Sequence, residues 1–447
     1  MLYRLIIQNY KSFKEKVELS MIPSSDSIHV SSEIEKIPVL QDALIYGANA
    51  SGKSNLIKAL AFVQNLVMDN DSLIKHGNDS YKFEKESINS PSYFVLEIIT
   101  DGQLYQYGIV VSFKDSTVKD EWLRVYDCEN SQWRTIYETK RGNIAAEGAD
   151  IDSSNIDRAN IYLEDNSSKG NCLLLTSLSD KPLKDDLLSR SVRDVYQWIK
   201  ELVILFPNTQ YNLLGAVAHD IDAVNDTYRK YFNMFDIDID KIVLNDVDTS
   251  SIDFPSPLVA DIKKSLGKRG KGFAMVHSPK DDYLVSLNDL GEICAKKVGF
   301  MHRYSHDASP LSKDEESDGT NRLMDLIPLL GNIVDNGRVA IIDEVNRSLH
   351  SLLTHKFLKT FMDQISSKEN KVGQLICTTH DILLLDSGMF GKKEIWFLDK
   401  REGKSFLYPL DKFNLKKGIK ELGRNYLLGR FNGIPNISNI ANHGDFA

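Results

Sequence analysis

Apolar and polar residues alternate from Leu2 to Gln8, a period of two that predicts a half-buried strand, and Lys16 to Ser20 is β-rich enough to pair with it. Asp42 to Tyr46 is almost continuously apolar, as expected of a short strand buried on both faces. Directly behind it the period changes. Leu56, Leu60, Val63 and Val67 recur at helical spacing, so Asn55 to Met68 reads as a helix. Tyr93 to Thr100 and Leu104 to Phe113 form a predicted hairpin around Asp101-Gly102. From Asp115 to Asn160 the chain is polar and weakly strand-like, with a loop-rich acidic segment at Asn143 to Asp157. Pro182 to Asp236 is helical in character, with Val192, Val195, Tyr196, Ile199 and Val203 on one apolar face and Ile221 to Phe235 continuing after a loop. Past Gly299, buried strands return at Val339 to Ile342, Gln374 to Cys377 and Glu394 to Leu398. A helix from Leu349 to Ile365 separates the first two, and a hairpin ending near Pro409 follows the third.

Buried strands alternating with helices at both ends predict an α/β fold with a mixed central sheet flanked by helices, assembled from both ends of the chain. The middle is then an insertion. The expected division is 1–125 for the first part of the head, 126–300 for an inserted, mostly helical lid-like or dimerisation region, and 301–447 for the remainder. No heptad pattern is sustained, so a long coiled-coil arm is not expected.

Composition narrows the class. Hydrophobic residues make up 42% of 447 and charged residues 26%, as in ordinary globular proteins. The segment beginning Met1-Leu2-Tyr3-Arg4 has no secretory pattern and no apolar run reaches membrane-spanning length, which predicts a cytoplasmic location. Cys128, Cys172, Cys294 and Cys377 are scattered without a C-x-x-C pair and read as reduced, mostly packed thiols. A net charge of −9 disfavours tight nucleic-acid binding by the whole surface. Lys263 to Lys271, with five cations in nine residues, reads as a solvated loop. The alternating acids of Asp236, Asp238 and Asp240 read as solvated edge residues rather than a metal cluster.

The candidate chemistry sits on this pattern. Gly47-Ala48-Asn49-Ala50-Ser51-Gly52-Lys53-Ser54 fits G-x-x-x-x-G-K-[ST] between the buried strand and the helix, the order a phosphate-cradling loop requires. Glycines let backbone N–H groups close around phosphate oxygens, and the helix start at Asn55 adds its positive dipole end. Lys53 is then expected to neutralise β- and γ-phosphate charge, and Ser54 to offer its hydroxyl to Mg²⁺. Val339 to Ile342 ends in Asp343-Glu344, placing one carboxylate to hold Mg²⁺ and a second to polarise water. The next buried strand ends in Thr378-Thr379-His380, and a neutral imidazole there is suited to a hydrogen bond with the γ-phosphate.

Ser317-Asp318-Gly319-Thr320, at the start of a helix from Asn321 to Leu330, resembles the signature motif of ABC-type ATPases. That resemblance implies that Ser317 and Gly319 complete the nucleotide site of a second copy, with ATP sandwiched in a head-to-tail dimer. Ile7-Gln8-Asn9-Tyr10-Lys11-Ser12-Phe13 is similar to the opening of SMC, RecF and Rad50-like heads, in which Lys11 and Ser12 would border the nucleotide. Asp343 to His350, Thr378 to Asp381 and Tyr426 to Pro435 together resemble stand-alone prokaryotic ABC-type ATPases of the RloA and AbiL-like kind, related to the ATPase of the PARIS anti-phage system. The resemblance covers about 1–125 and 300–437. It departs at Gly391-Lys392-Lys393-Glu394, where an Arg-Arg-Asp run is expected, and leaves the lobe-linking glutamine open between Gln103 and Gln106.

What the resemblance implies is an ATP- and Mg²⁺-dependent ATPase, with Glu344 and His380 catalytic, that dimerises on ATP and regulates a separately encoded effector such as a TOPRIM-like nuclease in anti-phage defence. The 67 residues after His380 are too few for an appended nuclease of that kind. The alternatives are a repair ATPase of the RecF or Rad50 class, or a nucleotide-binding scaffold or antitoxin with negligible turnover.

Overall fold

The computed structural model describes the chain except for residues 32–36, 70–71, 76, 140–149, 210–220, 250–251, 253, 270–271, 279, 305–308, 368–372, 414–420, 432 and 435–447. Residues 143–149 of the acidic segment, Gly270-Lys271 of the basic run, and Asn432 and Pro435 lie outside the described residues, while Ser153 to Asp157 of that segment is helical rather than a loop. The chain divides into two compact units, one of Met1–Pro207, Ile333–Val345 and Met362–Ala447, the other of Asn208–Asn332 and Asn346–Phe361.

The first unit holds two six-stranded sheets. One is antiparallel, in the order β2-β1-β6-β7-β8-β9, formed by β1 (Leu2–Gln8), β2 (Val17–Ser20), β6 (Ser92–Thr100), β7 (Gln103–Ser112), β8 (Thr117–Asp127) and β9 (Gln132–Glu138). The other has the order β10-β15-β16-β5-β17-β18, formed by β5 (Asp42–Gly47), β10 (Val203–Leu205), β15 (Val339–Ile342), β16 (Gln374–Thr378), β17 (Ile395–Arg401) and β18 (Lys404–Pro409). Its strands are parallel except β18, which returns antiparallel on β17. A short ladder of β3 (Val30–Ser31) and β4 (Val39–Leu40) leads into β5. β5 is buried at every position, as its continuous apolar pattern requires.

Helix α1 (Lys53–Met68), followed by the short helices α2 (Ser72–Lys75) and α3 (Lys85–Asn89), buries Leu56, Leu60, Val63 and Val67, together with Ile57, Phe62 and Leu66. Phe62 lies 4.9 Å from Phe94 and 5.2 Å from Phe113, ring centre to ring centre, so the antiparallel sheet grips the helix through aromatic contacts. Burying such a ring contributes on the order of 2–3 kcal/mol. Helices α4 (Ser153–Lys169), α5 (Leu174–Ser179) and α6 (Leu187–Glu201) join the same core through Ala159, Leu175, Val192 and Val195. Buried Glu121 of β8 anchors α5 by accepting from the Leu174 and Leu175 amides at 2.6 and 3.0 Å and from the Tyr107 and Tyr137 hydroxyls.

The second unit contains α7 (Ile221–Met234), α8 (Ser256–Arg269), and an antiparallel sheet β11-β14-β13-β12. Those strands are Ile239–Val247, Ile293–His302, Asp282–Leu287 and Phe273–His277 respectively. Ile262 and Leu266 of α8 pack on Val276, Tyr283 and Val285. α9 (Asp318–Asn336) begins in this unit, and α10 spans Ser351–Ser367.

Several expectations change. The units do not follow the 1–125, 126–300 and 301–447 division. Residues 126–207 belong to the first unit, and 301–332 and 346–361 to the second. The middle segment carries the sheet β11 to β14 as well as helices. Val203 is not on the helical face. α6 ends at Glu201 and Val203 starts β10, which pairs with β15 at the edge of the parallel sheet. Lys263 to Arg269 is helical rather than a loop. Asp236 and Asp238 are exposed, as solvated residues. The cysteines are free, but only Cys377 is buried, while Cys128 and Cys294 are exposed.

Candidate functional site

The C-terminal ends of β5, β15 and β16 converge, and each delivers one predicted group. β5 ends at Gly47, and the turn to α1 runs through Ala50 at φ 62° and Gly52 at φ 118°, both outside the region that most residues adopt. A Cβ on Gly52 would stand 2.6 Å from Ser405 Oγ and 2.9 Å from Ser12 Oγ, so position and backbone both demand glycine. Ser405, on β18, fastens the turn: its Oγ donates to the Ser51 carbonyl and its N–H to the Ser12 carbonyl at 2.8 Å. Asn55 donates to Ser12 Oγ at 2.9 Å, tying the first turn of α1 to the β1–β2 turn. The first amides of α1, Ser54 and Asn55 among them, have no intrahelical partner by geometry, leaving donors at the end of the turn.

Lys53 is 6% exposed, and its ammonium donates to the Gly47 carbonyl at 2.7 Å and the Ala48 carbonyl at 3.1 Å. Burial lowers its pKa to about 8, opposed by the carboxylates of Asp343 and Glu344. A phosphate would replace those neutral carbonyl acceptors with charged ones. Asp343 is 1% exposed and sits just past β15; its amide donates to the Leu205 carbonyl of β10 and its Oδ1 accepts from Thr378 Oγ1 at 2.6 Å. The same hydroxyl accepts from the Glu344 amide at 2.8 Å, so Thr378 fixes both carboxylate residues. Glu344 has φ 50°, a left-handed conformation costing about 1–2 kcal/mol in a residue other than glycine. Its amide bond to Thr378 and the Val345 amide bond to the Thr378 carbonyl hold that turn.

His380 is half-buried past β16. Burial lowers its pKa, the Lys53 ammonium lowers it further, and Asp343 opposes both, so the imidazole is neutral at physiological pH. Lys53, Asp343, Glu344 and His380 thus share one electrostatic neighbourhood. One buried cation, one fully buried carboxylate, one partly accessible carboxylate and a neutral imidazole, beside a helix N-terminus, fit a nucleoside triphosphate with a divalent ion. Ser54 Oγ and Asp343 are the oxygen donors available to that ion.

Lys11 is differently engaged. At φ 50° its ammonium pairs with Asp79 at 2.7 Å, and its amide donates to the Asp79 carbonyl. Asn9 explains the rest of the motif, donating to the Ser87, Ser90 and Pro91 carbonyls and so closing the turn. Ser317 and Gly319 lie in the second unit. Ser317 Oγ accepts from the Thr320 amide at 3.0 Å and caps α9, while a Cβ on Gly319 would meet the Ser348 carbonyl at 2.9 Å. Thr378 and Ser405 were not singled out for this site by the sequence. Thr378 stands next to His380 in a quoted motif, whereas Ser405 carries no local signal.

Among solved structures, the chain is similar to an SMC head bound to the C-terminal winged-helix domain of ScpA, at 13% identity over 92% of this chain and 99% of that one, with a TM-score of 0.38. It is also similar to the SMC head domain from Thermotoga maritima, at 13% identity over 91% and 98%, with a TM-score of 0.35. No curated protein matches the chain. The model of one family, described as AAA domain, putative AbiEii toxin, Type IV TA system, matches residues 43–386, from the phosphate loop past His380, and the chain belongs to that family.

Proposed function

We propose that this chain is a Mg²⁺-dependent ATPase head that closes on a second copy of itself around ATP and thereby controls a separately encoded effector, such as a nuclease, in anti-phage defence. The observation that carries the ATPase reading is the convergence of Lys53, Asp343, Glu344 and His380 at one end of a parallel sheet. Lys53 leaves its two loop carbonyls for the β- and γ-phosphates. Asp343, held by Thr378, and Ser54 would hold the ion, which would supply charge neutralisation at the phosphates. Glu344, the more accessible carboxylate, orients and polarises the attacking water. His380, neutral, donates to the γ-phosphate and distinguishes ATP from ADP. Ser317 and Gly319 act on the nucleotide of the partner copy, and Lys11 and Ser12 border the loop from the β1–β2 turn. The family description, with its toxin–antitoxin term, supports the defence role. Among the described residues no helix is long and apolar enough to cross a membrane.

The test is ATP turnover by the purified chain with and without Mg²⁺. Lys53→Ala should remove nucleotide binding, and Glu344→Gln should keep binding while cutting turnover at least a hundredfold and accumulating ATP-bound dimer. Unchanged turnover and oligomeric state in Glu344→Gln would refute the enzyme reading and leave a scaffold. A partner nuclease that binds the ATP-bound dimer and not Lys53→Ala would carry the effector reading.

A further inference from the structure

The opposite end of the parallel sheet holds a second cluster of chemistry that the ATPase reading does not use. Asp42 opens β5 and Glu394 immediately precedes the neighbouring parallel strand β17, so both carboxylates lie at N-terminal strand ends. β5 is six residues long, which puts this cluster about 17 Å from the phosphate loop along the strand. His29, from the segment before β3, turns its imidazole between them. Its Nδ1 is 2.7 Å from Asp42 Oδ2 and 3.4 Å from Glu394 Oε2.

Three features set this cluster apart from an ordinary buried ion pair. Asp42 is 2% exposed, yet neither of its oxygens has a hydrogen-bond partner, and His29 Nδ1 meets it outside hydrogen-bond geometry despite the short distance. A buried carboxylate left in that state is destabilising. Second, two buried acidic side chains share a single imidazole, so with both ionised the summed charge is negative even when the ring carries a proton. A divalent cation with a neutral imidazole brings the sum to zero. Third, Glu394 is pre-oriented by backbone donors: Oε1 accepts from the Ile28 and His29 amides at 2.6 and 2.9 Å, and Oε2 accepts from the Gly391 amide at 2.6 Å. Such outer donors typically aim a metal-binding carboxylate.

We propose that His29 Nδ1, Asp42 and Glu394 form a binding site for a divalent transition-metal ion of the Zn²⁺ or Co²⁺ kind. The three ligand atoms lie within 4.8 Å of one another. Around a tetrahedral ion with bonds near 2.0–2.1 Å, ligand atoms stand about 3.3–3.5 Å apart. The His29–Glu394 separation already has that value, and the His29–Asp42 one needs to open by about 0.6 Å. An imidazole with two carboxylates suits a borderline ion better than Ca²⁺, which takes six to eight oxygens. The His29 side chain is 16% exposed, which leaves a route for the ion and a position for water. The site would clasp the segment before β3 to the starts of β5 and β17, holding from behind the sheet that presents the phosphate loop. It does not depend on the chain hydrolysing ATP.

Co²⁺ titration of the full-length, chelator-treated, nucleotide-free protein tests this. The expected result is one equivalent giving visible d–d absorption, displaced by Zn²⁺, retained in Asp343→Asn, and weakened at least tenfold in Asp42→Asn and in His29→Gln. Zn²⁺ should also raise the melting temperature of the wild type and leave that of His29→Gln unchanged. Absence of absorption in the wild type overturns the proposal and leaves a protonated His29 between two carboxylates. Absorption that survives Asp42→Asn and His29→Gln but is lost in Asp343→Asn overturns it too, assigning the metal to the nucleotide end.

Discussion

Lys53 shows how one buried charge links pH, stability and ligand binding. Its pKa is lowered from 10.5 to about 8, chiefly by burial. Below pH 8 the folded chain carries a desolvated ammonium; above 10.5 folded and unfolded forms are both neutral. In between, the unfolded chain binds more protons, so stability rises with pH through that window, by about 3 kcal/mol in all. Phosphate oxygens stabilise the ammonium, so nucleotide binding above pH 8 takes up a proton. ATP affinity should fall about tenfold per pH unit between 8 and 10.5. Calorimetry in buffers of different ionisation enthalpy reads the proton directly, and uptake should be near zero at pH 7 and approach one proton at pH 9.5. Lys53, Asp343, Glu344 and His380 were legible because each follows a buried strand, and the local pattern marks where such a strand ends. Thr378 and Ser405 were not, because their roles rest on hydrogen bonds to residues 35 and 354 positions away.

At the scale of elements, the turn between β5 and α1 has two glycines with different reasons. Gly47 is needed for close approach: a Cβ there would stand 2.6 Å from the Leu398 carbonyl of β17 and 2.5 Å from Ser51 Oγ. Gly52 is needed for its backbone as well, at φ 118°. Gly52→Ala should therefore cost about 1–3 kcal/mol from backbone strain alone. Ser12 and Ser405 must also move, which reshapes the phosphate cradle. The expected outcome in denaturant unfolding is a lower midpoint at unchanged slope, with nucleotide affinity reduced at least tenfold. Long periodic elements such as α1 and β1 could be read from sequence because burial imposes their period. β10 could not: three residues are too few to show a period, and Val203 happens to continue the α6 stripe. Antiparallel strands β11 to β14 were hidden for a related reason, since their partly exposed faces alternate weakly.

At the scale of the whole molecule, the phosphate loop and the acidic pair belong to one compact unit and the Ser317–Gly319 turn to the other. In the proposed head-to-tail dimer each nucleotide site takes Lys53, Asp343 and Glu344 from one copy and Ser317 and Gly319 from its partner. Lys53→Ala alone should bind no nucleotide. Ser317→Arg alone should bind ATP but fail to close, because a long cation replaces a small helix cap where the partner's nucleotide must seat. Both variants are expected to be inactive, yet mixing them is not neutral. In a mixed dimer one site carries both lesions, while the other joins the intact loop of Ser317→Arg to the intact Ser317 of Lys53→Ala. With random pairing in an equal mixture, half of the dimers are mixed and each has one good site of two. Turnover should recover to about a quarter of wild type if sites act independently. A site built wholly within one copy gives no recovery at any ratio, so the mixing curve distinguishes the two architectures without a structure of the complex.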